Sequence, residues 1–444
     1  MTSAPTPPGA VVLLGAMLGG RYPELVPAAL RRGLTVLGID TDTARARRFD
    51  QARRENPEHP LAGLAEMAWL PGERHEEIVQ QVLDWDAEHR VAAVVPFGED
   101  YVEATALVAD LLGLPAPGLR AGRVCRNKLL QRRYLAAQSP RSVLLPAADR
   151  ADRADRAAAW DTFPAVVKPL DGQASSGVER VDDLAQLAAV LAERDEAEAL
   201  LLEELVAGHE VSVESLVQHG VPVFAAVTGK RTNEGAGPDE AARFFVELGH
   251  TVPDPELSPA ARRAVLDANA AVLARLDFRD GIAHAEYRVT AEGEVRLMEI
   301  AARAAGDNIL TLYHLATGAP LEEALLGIAL GEPTTYPEPR RFVRQVYPEH
   351  TPGVLLDVTA PGLDTEVSWL AERWMWPPVK PLSDEPGAVH MIVAGRARGD
   401  RLTGIKASSD RSAMYVIDAP TPTELDELQA RVDAALTVEV DPNG

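Results

Sequence analysis

The chain opens on alternating apolar runs and amphipathic stretches. "AVVLLGA" (10–16) is a continuous apolar run of strand length, and "YPELVPAALRRG" (22–33) spaces its apolar residues along one helical face. "LTVLGID" (34–40) and "VAAVVPFGED" (91–100) read as further buried strands. Over the first 115 or so residues this alternation predicts a doubly wound α/β unit. From "RVCRNKLLQRRYLAAQSP" (123–140) the pattern becomes a basic amphipathic helix, and "DRADRADRAAAWD" (149–161) is a low-complexity, solvated helix or connection. Short strands and glycine turns follow in "FPAVVKPLDGQASSGVERV" and "ALLLEELVAGHEVSVESLVQHGVPVFAAVTGK", and then a long helix, "SPAARRAVLDANAAVLARLDF" (258–278). After "LGEP" (330–333) a proline-rich connection opens a last region with its own strands, "GVLLDVTA", "AVHMIVAGRA" and "SAMYVID", and a closing helix. There is no internal repeat.

Between the long helix and that last region lies "GIAHAEYRVTAEGEVRLMEIAAR", two strand patterns separated by a glycine turn. If Glu292 and Gly293 form a two-residue loop, paired positions sum to 585 and Glu286 stands directly opposite Glu299. Simple alternation then puts Ile282, His284, Glu286, Arg288, Val295, Leu297, Glu299, Ala301 and Arg303 on one face. Opposed carboxylates repel by roughly 0.2–1 kcal/mol at a surface, and by more if buried. A divalent cation between them would remove that penalty; a solvated hairpin face is the plain alternative.

Composition narrows the classes. The apolar fraction of 46% with 25% charged residues is that of an ordinary globular protein, and 444 residues suffice for about three domains. A net charge of −23 argues against nucleic acid or an anionic membrane as the main partner. A single cysteine, Cys125, leaves no internal disulfide and suits a reducing cytosol. The opening "MTSAPTPPGAVVLLGAMLGG" lacks a basic n-region and runs into the βα pattern, and no stretch reaches the ~20 apolar residues of a membrane span. A cytoplasmic protein is expected. "GAMLGG" departs from GxGxxG and reads as a tight turn.

Other segments add candidate chemistry. Lys168 ends an apolar strand and precedes the small residues Gly172, Ala174, Ser175, Ser176 and Gly177, whose amides and hydroxyls suit phosphate oxygens. It is not a Walker A loop, because the lysine comes first. "LLLEELVAGHE" offers a hinge whose backbone could meet a purine edge, with Glu210 placed for ribose hydroxyls. Lys128 sits near a helix start, where its charge opposes the macrodipole.

In this order, these features resemble the ATP-grasp superfamily, and within it the L-amino acid ligase type of carboxylate–amine ligase. "FFVELGHTVPDPELS", the glutamate hairpin and "GDNI…ATG" carry the likeness, which covers residues 90–335 in detail and the whole chain in architecture. The resemblance implies an α/β ATP-grasp fold. Its expected parts are a Rossmann-like domain at 1–120, a small subdomain with the phosphate loop at 121–205, a large subdomain with the metal site at 206–335, and a C-terminal α+β subdomain at 336–444. It implies that Lys128, Lys168, Ser175, Ser176 and Gly177 meet ATP phosphates, that Glu203, Glu204, Leu205 and Val206 receive adenine, and that Glu210 receives ribose. Glu286 and Glu299 would hold one or two Mg²⁺ ions, or Mn²⁺. Lys168 and Arg303 would be catalytic, with Arg303 neutralising the transferred phosphoryl.

Glu99, Glu247, His250, Arg303 and Asp307 are the expected substrate contacts, and Lys230 carries a weaker signal. One position departs from the family's E-x-N-x-R: Ala301 replaces the asparagine, and Asn308 is the candidate substitute. The activity implied is ATP-dependent joining of a small carboxylate to an amine, with amino acids and a dipeptide-like product expected, through an acyl-phosphate; a homodimer is compatible with it. The alternatives are an ATP-grasp carboxylase acting on bicarbonate and a non-catalytic nucleotide-binding regulator.

Overall fold

The computed structural model describes residues 9–147, 150–172, 174–234, 244–379 and 386–443. Gln173 of the glycine-rich loop and Asp149 of the DRAD run lie outside them.

Four parallel strands form the N-terminal sheet, in the order Glu66–Leu70, Thr35–Thr41, Ala10–Leu14 and Val91–Pro96. Ala10–Leu14 is fully buried, as expected of a strand covered by helices on both faces. Gly15 follows at φ 73°, where an added Cβ would sit 3.0 Å from the Tyr101 ring. That turn opens the short 3-10 helix Ala16–Arg21 at the carboxyl ends of the strands, where open α/β sheets place ligands.

The expected basic helix over 123–140 is two helices, Leu119–Cys125 and Lys128–Tyr134. The break falls at Arg126–Asn127, because the Asn127 side chain accepts from the Leu130 amide and caps the second helix, an interaction worth about 1 kcal/mol. The small antiparallel sheet has the order Ser142–Leu145, Leu200–Glu204, Ala165–Pro169, Glu179–Val181.

The large sheet has nine strands. In order they are Val295–Ala301, Gly281–Val289, His209–Gln218, Val221–Thr232, Glu247–Val252, Phe342–Val346, Ala413–Ala419, Ala388–Ala394 and Val367–Trp369. Pairing of Glu247–Val252 with Phe342–Val346 crosses the expected boundary at 336, so the C-terminal region contributes four strands to the same sheet. Gly353–Thr359, Arg401–Leu402 and Thr437–Asp441 make a separate three-stranded sheet. The last of these follows the closing helix Pro422–Ala435 and was not expected from the sequence. Ser258 caps the helix Pro259–Leu276, which packs its buried Val265, Val272, Leu273 and Leu276 onto the hairpin strands.

The hairpin pairs Glu286 with Glu299 as read from the sequence, by a different route. Its turn comprises three residues, 291–293, closed by Thr290 and Glu294 and with Gly293 at φ 86°. Pairs nearest the turn therefore sum to 584, as in Tyr287–Leu297, and a bulge restores 585 from Glu286 onward. Simple alternation consequently fails for Val295 and Leu297. Both pack into the core with Tyr287 and Ile300, while His284, Glu286, Arg288, Met298, Glu299, Ala301 and Arg303 line the cleft.

Candidate active site

A cleft of about 500 Å³ separates the small sheet from the large one, and the 16–22 segment and residues 408–411 close its sides. Its volume falls in the range of small-molecule sites.

On the small-sheet side, Lys168 is buried with its ammonium 2.5 Å from Glu203. Arg132 grips the same carboxylate. Burial would raise the Glu203 pKa, but Arg132 and Lys168 hold it below the usual range. Burial pulls Lys168 down to about 8, against the lift from Glu203. Glu203 thus meets the cleft as a charge partner of Lys168; Glu204, Leu205 and Val206 continue the wall. The Leu205 amide already donates to Pro164, and the Val206 carbonyl accepts from Arg288.

The glycine-rich loop reaches across the cleft. Ala174 and Ser175 both adopt positive φ, 61° and 55°. The Ser175 hydroxyl donates to the Phe245 carbonyl (2.9 Å), and the Ser408 amide donates to the Ala174 carbonyl (3.2 Å). Ser176 lines the cleft; Gly177, expected to meet phosphate, does not, and its carbonyl accepts from Arg194. Lys128, also buried, donates to the Gly172 carbonyl at 3.1 Å and to Glu299 at 2.9 Å.

The large-sheet side is organised by a residue given little weight from sequence. Lys230 lies beneath the cleft floor with its side chain 2% exposed, and it meets Glu286 at 2.6 Å, Glu210 at 3.1 Å and Glu247 at 3.4 Å. Burial works against its charge, yet the three carboxylates, Glu286 first, hold its pKa well above the ordinary lysine value. Glu286 is held well below the usual carboxyl range despite burial, by Lys230 and then by His284. His284 bridges Glu214 (2.8 Å) and Glu286 (3.3 Å) and rises to about 10 because these acids, led by Glu214, outweigh burial. The facing glutamates are therefore not left in open repulsion: Lys230 and His284 take one, Lys128 the other. Glu210 carries a second load, the Arg288 guanidinium at 2.7 and 3.0 Å.

At the far end, Asp307 sits at φ 53° and accepts from His250 (2.7 Å) and from both terminal nitrogens of Arg411 (2.7 and 3.1 Å). Arg411, with His250, holds it well below the usual range against burial. Arg411 also stacks 3.7 Å from the Tyr347 ring centroid. Glu247 accepts from Ser408 at 2.9 Å.

Glu99 does not reach this space. It is 3% exposed and lies beneath Arg303, bonded to that guanidinium and to Arg126 (3.2 Å), so its expected substrate contact becomes a hold on Arg303. Asn308 also fails its expected role. It is buried against Met414 and Gln345 and stays outside the cleft, while the cross-strand neighbour of Ala301 is His284.

Among the described residues no three His, Cys, Asp or Glu side chains are grouped to hold a metal ion unaided. Two facing carboxylates that both line the cleft suit Mg²⁺, which usually takes one or two carboxylates and completes its shell with substrate phosphates. No helix among those residues is long and apolar enough to cross a membrane.

Comparison with known proteins agrees with this arrangement. The family described as ATP-grasp domain matches residues 161–312. No curated protein matches the sequence. Among solved structures, the L-amino acid ligase from Bacillus licheniformis superposes with a TM-score of 0.74 at 20% identity, over 98% of this chain and 100% of that one. Phosphoribosylglycinamide synthetase from Anaerococcus prevotii gives 0.67 at 13%, over 98% and 100%. The biotin carboxylase domain of the Hydrogenobacter thermophilus 2-oxoglutarate carboxylase, solved with MgADP and bicarbonate, gives 0.61 at 13%, over 98% and 91%. Together with the two sheets that enclose the cleft, these likenesses make the architecture plain: the chain carries an ATP-grasp domain and has the ATP-grasp fold.

Proposed function

We propose that the protein is an ATP-dependent carboxylate–amine ligase that forms an amide bond through an acyl-phosphate and releases ADP and phosphate. The observation that carries this reading is the convergence of Lys128, Lys168, Glu286, Glu299 and Arg303 on one cleft beside a glycine-rich loop. Phosphoryl transfer asks the protein chiefly for positioning and charge neutralisation. Lys128 and Lys168 supply positive charge for ATP phosphates, and the backbone of 204–206 borders the place for adenine. Glu210, already gripped by Lys230 and Arg288, is oriented for ribose. Glu286 and Glu299 would hold Mg²⁺, which when bound neutralises phosphate charge. Arg303, fixed from behind by Glu99, faces the group being transferred. A substrate carboxylate oxygen attacks the γ-phosphorus, ADP departs, and an amine then displaces phosphate from the acyl carbon. Glu247, His250 and Asp307 border the space left for those substrates. The likeness to an L-amino acid ligase supports amino acids as the pair.

The test is ATP turnover with pairs of amino acids, reading ADP, phosphate and product mass together. ADP and phosphate should appear in step with an amide. AMP and pyrophosphate would sink the acyl-phosphate route. Dependence on bicarbonate alone would favour the carboxylase reading, which the likeness to a biotin carboxylase domain supports. Nucleotide binding without turnover would favour the regulator, a reading motivated by Ala301.

A further inference from the structure

Six lysine or arginine side chains line the cleft among the described residues. Five face a carboxylate: Lys128 meets Glu299, Lys168 meets Glu203, Arg288 meets Glu210, Arg303 meets Glu99, and Arg411 meets Asp307. The sixth is Arg21. Among the described residues it has no acidic partner, and it sits over the Trp376 ring, whose centroid lies 5.0 Å from the guanidinium carbon. In a chain of net charge −23, an arginine left without an acid inside the main cleft is out of keeping with its surroundings.

Its place is also informative. Arg21 ends the 3-10 turn after the first parallel strand, where α/β sheets present ligands. Tyr22, next to it, donates to the Ala305 carbonyl, two residues from Arg303. Leu18, Tyr22 and Phe97 give this side of the cleft an apolar wall, with Tyr22 and Phe97 stacked at 5.1 Å. The neighbouring charge is positive as well: Arg45, lowered first by burial, is lowered further by Arg21 and Arg396. A guanidinium held over an indole face spends no N–H on an acid, and its N–H fork matches a carboxylate in two-point geometry.

We propose that Arg21, backed by Trp376, is a specificity-determining residue that receives a substrate carboxylate the reaction does not consume, namely the one on the amine substrate. The apolar part of that substrate lies against Leu18, Tyr22 and Phe97. This rests on the ligase reading: when each substrate carries a single carboxylate, amide formation consumes that of the acyl side and leaves that of the amine side in the product.

The test uses product-like probes on the full chain loaded with MgADP. Binding of L-leucyl-L-leucine and of its C-terminal amide is measured by calorimetry for the wild type, Arg21→Gln and Arg21→Lys. The wild type should prefer the free carboxylate by about 10- to 100-fold, the range for a hydrogen-bonded charge pair. Arg21→Gln should erase the preference, and Arg21→Lys should keep part of it, with MgADP affinity unchanged in both. Equal binding of the two peptides by the wild type overturns the proposal. So does a preference that survives in Arg21→Gln, or failure of both peptides to bind where MgADP does. Failure of MgADP itself to bind would bring down the ligase reading beneath it.

Discussion

Lys168 and Lys230 are both buried lysines at one cleft, and their charge balances are opposite. On the small-sheet side one carboxylate, Glu203, serves two cations, Lys168 and Arg132. On the large-sheet side one cation, Lys230, serves three carboxylates. Burial penalises both ammonium groups, yet Lys168 falls to about 8 while Lys230 is held well above the ordinary value. The local count of partners decides the sign, because at contact distance in a low-dielectric site Coulomb terms rival desolvation. One wall is left short of negative charge and the other short of positive charge. A Mg²⁺–polyphosphate ligand, as in the proposed function, would supply each wall with what it lacks.

The strongest way to break this contrast is Lys230→Met. It leaves three carboxylates clustered without their common cation, and removing one partner of a buried pair costs about 3–5 kcal/mol. We expect the largest fall in Tm of any cleft variant, with part of it recovered on adding Mg²⁺. A Tm equal to the wild type's would show that the acidic wall does not need its lysine.

Glu299→Gln comes next. It should cut turnover by about 100-fold or more, if several kcal/mol of metal-based charge stabilisation are forfeited. Sequence reasoning alone expects apo stability to hold or rise as repulsion is relieved. The Lys128–Glu299 pair reverses that expectation, so apo Tm should fall slightly. Turnover like the wild type's would make the hairpin an ordinary polar surface.

A smaller effect is expected from pH. In the empty folded cleft Lys168 loses its proton near pH 8, whereas an ordinary lysine holds it to 10.5. Phosphate binds the charged form, so nucleotide affinity should be full below about pH 8 and decline as pH rises through it. The same depressed pKa makes this residue's contribution to folding less unfavourable between those two values as pH rises. Lys168→Arg, which does not titrate there, should flatten the calorimetric affinity profile. An identical decline in the variant would assign the titration to another group.

The smallest expected change is from Ala301→Asn, which sharpens the metal side by adding a neutral oxygen on the face of Glu286 and Glu299. The Mg²⁺ concentration for half-maximal turnover should drop, with little change at saturation. An unmoved titration in a folded, active variant would mean that another group already fills that role.

Much of this was legible in the chain. The strand and helix periods pointed to three of the four N-terminal strands and to the Ser258-capped helix, because each is a local period. The Glu286–Glu299 pairing, read through a two-residue turn, holds because a three-residue turn and a bulge offset each other. What escaped depends on distance or on one-residue irregularities. Arg132, Arg288 and Arg411 meet acids 71, 78 and 104 positions away, which no spacing rule connects. The bulge that sends Val295 and Leu297 inward leaves no mark in composition. Two features given too little weight did carry a signal. Lys230 lies within the apolar strand run "VFAAVTGK", where an unpaired charge would be costly. "NKLL" places an asparagine where a helix cap belongs.

The large sheet has one further consequence. Residue 336 looks like a boundary in sequence, but Glu247–Val252 and Phe342–Val346 hydrogen-bond across it from Gly249–Val346 to Val252–Val343. A chain cut there would leave Glu247–Val252 with a bare edge of unpaired amides and carbonyls, the kind of edge that recruits other chains into aggregates. Evolutionary exchange of the C-terminal region is therefore constrained to replacements that bring a matching edge strand with them.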